Sequence, residues 1–133
     1  MMSQFSWVSE VRAHEIDVQG IVNNAYYLTY FDHVRTLHLK NLKIDWAKLS
    51  QEGYNLVLIQ AEIKFLHPLR AFDSFEVRSI LIRDGRLKLV FDQSVINQQD
   101  RLVCRGINTV VCVDSSRNKP IHLDKIANLE SLS

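Results

Sequence analysis

Asp17 and Asn24 are a pair whose types and spacing could do chemistry. They lie in EIDVQGIVNNAYYLTYFDHVR, residues 15–35, with Gly20 between them and a helical pattern starting at Asn24. A helix N-terminus leaves backbone N–H groups unpaired and carries a partial positive charge. Such groups can hold a carbonyl oxygen that gains negative charge as it is attacked. A nearby carboxylate can supply the attack, as a nucleophile or as a general base to water. Two readings are open at this level. Asp17 is an Asx-type turn or cap around the Gly20 loop, or it is half of an active site whose other half is the helix terminus.

Periodicity shows what must position these residues. Residues 5–13, FSWVSEVRA, alternate as a first strand, and 14–22 form a loop. From Asn24 to about Leu39, Ala25, Leu28, Phe31 and Val34 recur at helical intervals without Gly or Pro. An Asn at the start suits an N-cap. Asp32 and Arg35, three apart on the helix, are placed to pair. Residues 41–53 connect, with a short helical turn in DWAKLSQE. Strands follow at 54–66, 74–84, 86–96 and 101–114, with Asp84-Gly85 as a hairpin signal. One strand, one long helix and four antiparallel strands make an α+β domain spanning residues 1–133. A lone helix cannot cover both faces of five strands, so an open face or edge predicts self-association. The apolar run 56–63 is the natural edge for it.

Composition excludes several classes. Lys plus Arg is 16 and Asp plus Glu is 15, a net charge of +1. No basic excess points to nucleic acid. The first residues lack the apolar core of a signal peptide. No apolar run reaches the roughly 18 residues of a membrane span. A cytoplasmic location is the expectation. Cys104 and Cys112 sit on one strand, too far apart to bridge, and read as reduced core thiols. The five histidines show no metal spacing, so no metal and no cofactor are expected.

The block VRAHEIDVQGIVNNAYYLTYFDHVR resembles the opening of the 4-hydroxybenzoyl-CoA thioesterase family, within the hotdog-fold superfamily. Glu15-Ile16-Asp17 stands for its Asp-x-Asp, and Gly20-Ile21-Val22-Asn23-Asn24 for its Gly-Val-Asn block. AEIKFLHPLRAFDSFEV (61–77) and VVCVDSSRNKPIHL (110–123) resemble its later blocks. Glu15 replaces an Asp, Ile21 replaces a common His, and Asn24 stands where one subgroup has His. Asp17 is intact.

The resemblance implies a long central helix wrapped by a five-stranded antiparallel sheet. It implies hydrolysis of an acyl-CoA thioester to free acid and CoA. Asp17 would act as nucleophile or general base. The backbone N–H of Asn24, with that of Ala25, would form the oxyanion site beside the Gly20 loop. Coenzyme A would enter only as part of the substrate, its phosphates met by Arg70, Arg83, Arg86 or Lys88. The family joins two protomers through their sheets, so residues near Gln60 to Glu62 of a second copy would face Asp17. A homodimer, and a tetramer of two dimers, is expected. The alternatives are a non-catalytic acyl-CoA or acyl-carrier binding module and a hotdog dehydratase. The latter needs a His-Phe-Pro type segment that this chain lacks.

Overall fold

The computed structural model describes residues 2–129 and Leu132. The elements run β1 (Ser3–Glu10), α1 (Asn24–Asn41), α2 (Trp46–Gln51), β2 (Tyr54–Phe65), β3 (Ser74–Asp84), β4 (Lys88–Asn97), β5 (Leu102–Asp114) and β6 (Lys119–Pro120). The sheet order is β1-β3-β4-β5-β2, antiparallel throughout, with β6 paired to the end of β5. The expected architecture of one long helix against one sheet holds, and β6 adds a two-residue sixth strand. The first strand begins and ends earlier than its 5–13 pattern suggests. At Val11 the chain leaves the sheet edge, its N–H donating to Asp73 O at 2.9 Å.

α1 forms because Tyr27, Tyr30, Phe31, Val34 and His38 recur at three- and four-residue spacing and bury one face. Its cap is Asn23, one residue earlier than the pattern suggests. The Asn23 side chain accepts the Ala25 N–H at 3.0 Å. Asp45 caps α2 in the same way, accepting from Lys48 N–H at 3.1 Å.

Alternate residues of β3, β4 and β5 face α1. Under its first half lie Phe75, Val77, Val95, Val103 and Cys104. Under its second half lie Leu81, Leu89, Phe91, Val110 and Cys112, closed off by Leu123, Ile126 and Leu129. Burial pushes the Cys104 thiol up to about 12 and Cys112 to about 11, so both are inert thiols. Gly106 lets helix and sheet meet closely: a Cβ there would stand 2.7 Å from Phe31 Cε2 and 2.9 Å from Ile63 Cδ1.

A polar belt separates the two apolar clusters. Gln93 Nε2 donates to Phe31 O at 3.1 Å, and Asn108 Nδ2 donates to Gln93 Oε1 at 2.8 Å. His38 is fully buried, with Nε2 at 2.9 Å from Ser3 Oγ and Nδ1 at 3.0 Å from Ser79 Oγ.

β2 is an open edge: among the described residues it pairs with β5 alone. Its Val57, Leu58, Ile59 and Phe65 are 40–51% exposed. No described helix is long and apolar enough to cross a membrane.

His38 makes stability depend on pH. Burial pushes its pKa down to about 4 from an ordinary 6.5. The unfolded chain therefore takes up the proton first as pH falls. The contribution is fully present above pH 6.5 and is lost as pH falls from 6.5 toward 4, by about 3 kcal/mol in total. Chemical denaturation of the wild type and His38→Gln at pH 7.5 and pH 4.5 checks this. The wild type should lose more stability than the variant across that interval.

Candidate active site

Residues 15–23 fold into a small hairpin. Asp17 N–H donates to Ile21 O at 2.8 Å, and Asn23 N–H donates to Glu15 O at 2.9 Å. Ile16 pairs with Val22 between them. Gly20 reverses the chain at φ +82, with its N–H on Asp17 O at 3.0 Å, a conformation that suits a residue without Cβ. The hairpin is tied to the loop before β3. Val22 N–H donates to Leu69 O at 2.8 Å, and Ile21 bridges to Arg70. Alternation along the ladder puts Asp17 on the same side as Asn23, the residue that caps α1.

The other acid of the pair anchors the hairpin. Glu15 is 1% exposed. Its Oε1 accepts the Tyr30 hydroxyl and the Arg12 N–H, both at 2.8 Å, and its Oε2 accepts the Arg12 guanidinium at 2.8 and 3.1 Å. Burial alone would raise its pKa. The Arg12 N–H, the Tyr30 hydroxyl and the Arg12 guanidinium together outweigh burial and hold the carboxyl below the usual range. Tyr30, facing that charge, is pushed far above an ordinary phenol, first by burial and then by Glu15. Sequence reasoning missed this latch, although Glu15 stood in the quoted motif. Its partner Tyr30 lies on α1, fifteen residues away.

Asp17 is half-buried, and its Oδ1 accepts the Gln19 N–H at 2.8 Å. This is an Asx turn, so the local role foreseen for Asp17 is present. At the start of α1 the donors divide. The Ala25 N–H is taken by the Asn23 cap, which removes Ala25 from the oxyanion site. Asn24 is the first helical residue, and among the described residues no acceptor takes its N–H. A cavity of about 250 Å³ lies beside it, walled by Ile21, Asn24, Tyr27, Phe65 and His67. Asp17 is not part of that wall.

The expected substrate contacts are scattered over the single chain. Arg70 alone lies next to the hairpin. Arg83 is bound to Asp124 at 2.7 Å and to Gly85 O at 3.0 Å, committed to the C-terminal segment. Arg86 and Lys88 are exposed at the β3–β4 hairpin, at the far end of α1. Gln60 and Glu62 bond each other at 3.2 Å and point away from α1. A bulge at Ile59 is the reason. It advances the alternation by one residue, so that Ala61, Ile63 and Phe65 turn toward the helix instead. Asp32 and Arg35 pair as expected, at 3.3 Å.

A family model described as the thioesterase-like superfamily matches residues 11–128. The chain belongs to that superfamily. Within it, the chain is 34% identical over 110 residues to the chloroplastic acyl-acyl carrier protein thioesterase ATL3 of Arabidopsis thaliana. The match covers 80% of this chain and 58% of that relative, so the chain spans little more than half of its length. The Escherichia coli acyl-CoA thioester hydrolase YbgC is 27% identical over 121 residues, covering 91% of this chain and 90% of YbgC. A solved structure of a hypothetical protein from Aquifex aeolicus superposes with a TM-score of 0.87 at 28% identity, over 97% of this chain and 99% of that one. The fold is therefore the hotdog arrangement of the thioesterases. In this superfamily member the start of α1, the hairpin and the Glu15 latch form one unit.

If Glu15 holds the hairpin, truncating it should cost more than removing one donor to it. Glu15→Ala leaves the Tyr30 hydroxyl and the Arg12 N–H without their acceptor, and should lower stability by about 3 kcal/mol. Tyr30→Phe leaves Arg12 in place and should cost about 1.5 kcal/mol. Urea unfolding of the three proteins checks the order.

Proposed function

We propose that the chain hydrolyses an acyl thioester, with Asp17 supplying the attack and the Asn24 N–H receiving the carbonyl oxygen. The observation that carries this is the hairpin. It ties the loop that carries Asp17 to the residues leading into α1, whose first N–H, that of Asn24, is untaken among the described residues. The named activities of ATL3 and YbgC favour acyl-CoA or an acyl group on a carrier protein as the substrate class. In one course Asp17 attacks the carbonyl carbon, thiolate departs and water cleaves the mixed anhydride. In the other Asp17 takes a proton from the attacking water. In both, charge builds on the carbonyl oxygen, where a preorganised N–H stabilises it without reorganisation. A thiolate leaves readily, so no partner acid is required.

The second reading, in which Asp17 only builds a turn, is favoured by its bond to Gln19 N–H. Asp17→Asn separates the two. The amide keeps an acceptor for Gln19 but loses nucleophilicity and basicity. As a catalytic residue, Asp17→Asn should retain stability within about 1 kcal/mol and lose at least about 10²-fold in kcat. Thiol release from a panel of acyl-CoAs, with unfolding curves on the same samples, gives both numbers. Near-normal kcat in folded Asp17→Asn would leave only the turn.

We also propose that two copies pair through β2. Its exposed apolar edge supports this, since an unprotected edge of this kind associates. Antiparallel pairing about a twofold would set the hairpin bearing Arg86 and Lys88 of one copy toward the Asp17 end of the other. Sedimentation should show at least twice the 15.5 kDa chain mass at micromolar concentration. Pro at the exposed Val57 should shift the protein toward monomer and reduce turnover with it.

A further inference from the structure

A groove of about 430 Å³ runs between α1, α2 and β2, away from Asp17 and toward the far end of the helix. Its floor is apolar, built by Leu39, Leu56, Phe91 and Val110. One wall carries Arg35, which is 8% exposed as a residue. The Arg35 guanidinium makes two bonds, to Gln93 Oε1 and to Asp32 Oδ1, both at 3.3 Å. A guanidinium carries five N–H donors, so the pair leaves donors over. One step further along the same chain of bonds, Asn108 Oδ1 is buried and has no partner among the described residues. An apolar groove thus borders a polar belt that is short of partners.

The groove continues the line of the proposed site. Leu28, Asp32, Arg35 and Leu39 follow Asn24 at helical spacing, and Leu28 is 43% exposed between them. Arg35 sits about 16 Å along the axis from Asn24 at about 1.5 Å per residue. Its long side chain leans back toward the N-terminus. With that lean taken off the distance, a medium-length acyl chain reaches the guanidinium, whereas an acetyl group or a single aromatic ring does not.

We infer that this groove takes the far half of a medium-length acyl group that carries an oxygen function, of which a hydroxyl fits best, and that Arg35 selects it. This rests on the hydrolase reading above. A plain hydrocarbon tail laid against Arg35 would cover its open N–H groups and give them nothing. A hydroxyl accepts from Arg35 and keeps its own hydrogen for the Asp32 carboxylate on the same wall. The burial that lowers the Arg35 pKa leaves it charged at neutral pH, which favours an oxygen acceptor further.

The test compares decanoyl-CoA with ω-hydroxydecanoyl-CoA. The wild type should prefer the hydroxylated ester by about tenfold in kcat/KM. Arg35→Met should collapse that ratio toward one, and Arg35→Lys should retain part of it. Should Arg35→Met not fold, Leu58→Trp fills the groove from exposed β2 without touching the belt. It should lower kcat/KM for both decanoyl esters relative to butyryl-CoA. A second readout does not need turnover. Trp46 borders the groove, and the chain has two tryptophans. In Trp7→Phe, Trp46 fluorescence should report ω-hydroxydecanoate binding about tenfold tighter than decanoate. Hydrolysis of no ester, with this binding difference intact, would remove the hydrolase reading and keep the groove. Equal kcat/KM for the two esters, a ratio that survives in folded Arg35→Met, or no Trp46 response would overturn the inference.

Discussion

Glu15 accepts the Tyr30 hydroxyl at 2.8 Å with its side chain while its backbone carbonyl accepts the Asn23 N–H. One residue therefore ties the start of the hairpin to the middle of α1 and its end to the helix cap. A buried carboxylate without partners would be costly. Here its bonds are charge-assisted and short, and the one from the Tyr30 hydroxyl cannot be made unless α1 lies where it does. The position of Asp17 relative to Asn24 follows, because only the Asp17–Ile21 turn lies between those two ties. The catalytic proposal depends on that rigidity, since a carboxylate on a free loop would not hold a fixed direction toward the helix start.

The sheet meets the helix under a different constraint. Gly106 allows Phe31 to descend onto β5, and Gln93 reaches the Phe31 carbonyl beside it. The contact is close and polar in the middle, and apolar at both ends. Such a belt fixes the rotation of the helix about its axis more sharply than apolar packing does, because hydrogen bonds are directional. That rotation decides which stripe of α1 faces β2, and so which side chains border the groove.

Much of this was legible in the sequence, and the misses share a cause. The helix and the strands announce themselves by period, since local alternation and the 3.6-residue repeat need no distant information. The motif kept Asp17 and Asn24 close along the chain, and the ladder ties the segment of Asp17 to residues 21–23, just before α1. What could not be read were relations between elements. Glu15 looks like a loop acid until Tyr30 is placed above it. Asn23 and Asn24 are equivalent as letters, and only the turn before them decides which one caps. The bulge at Ile59 leaves no mark in an apolar run, yet it turns Gln60 and Glu62 to the wrong face. Arg83 looked free until the C-terminal segment folded back with Asp124.

Ser3 and the segment Leu123 to Leu129 both lie toward one end of α1. Ser3 opens β1 against His38, and Leu123, Ile126 and Leu129 pack beside Leu39 and Ile44. Both sit at the C-terminal end of α1, the end opposite the hairpin. A segment joined to either of these parts starts from that side, away from the hairpin. The same placement lets two such units be joined in one polypeptide by a modest linker, or the chain be reopened elsewhere after its ends are connected. The fold is thus arranged as a cassette, with its joints at one pole and its chemistry proposed at the other.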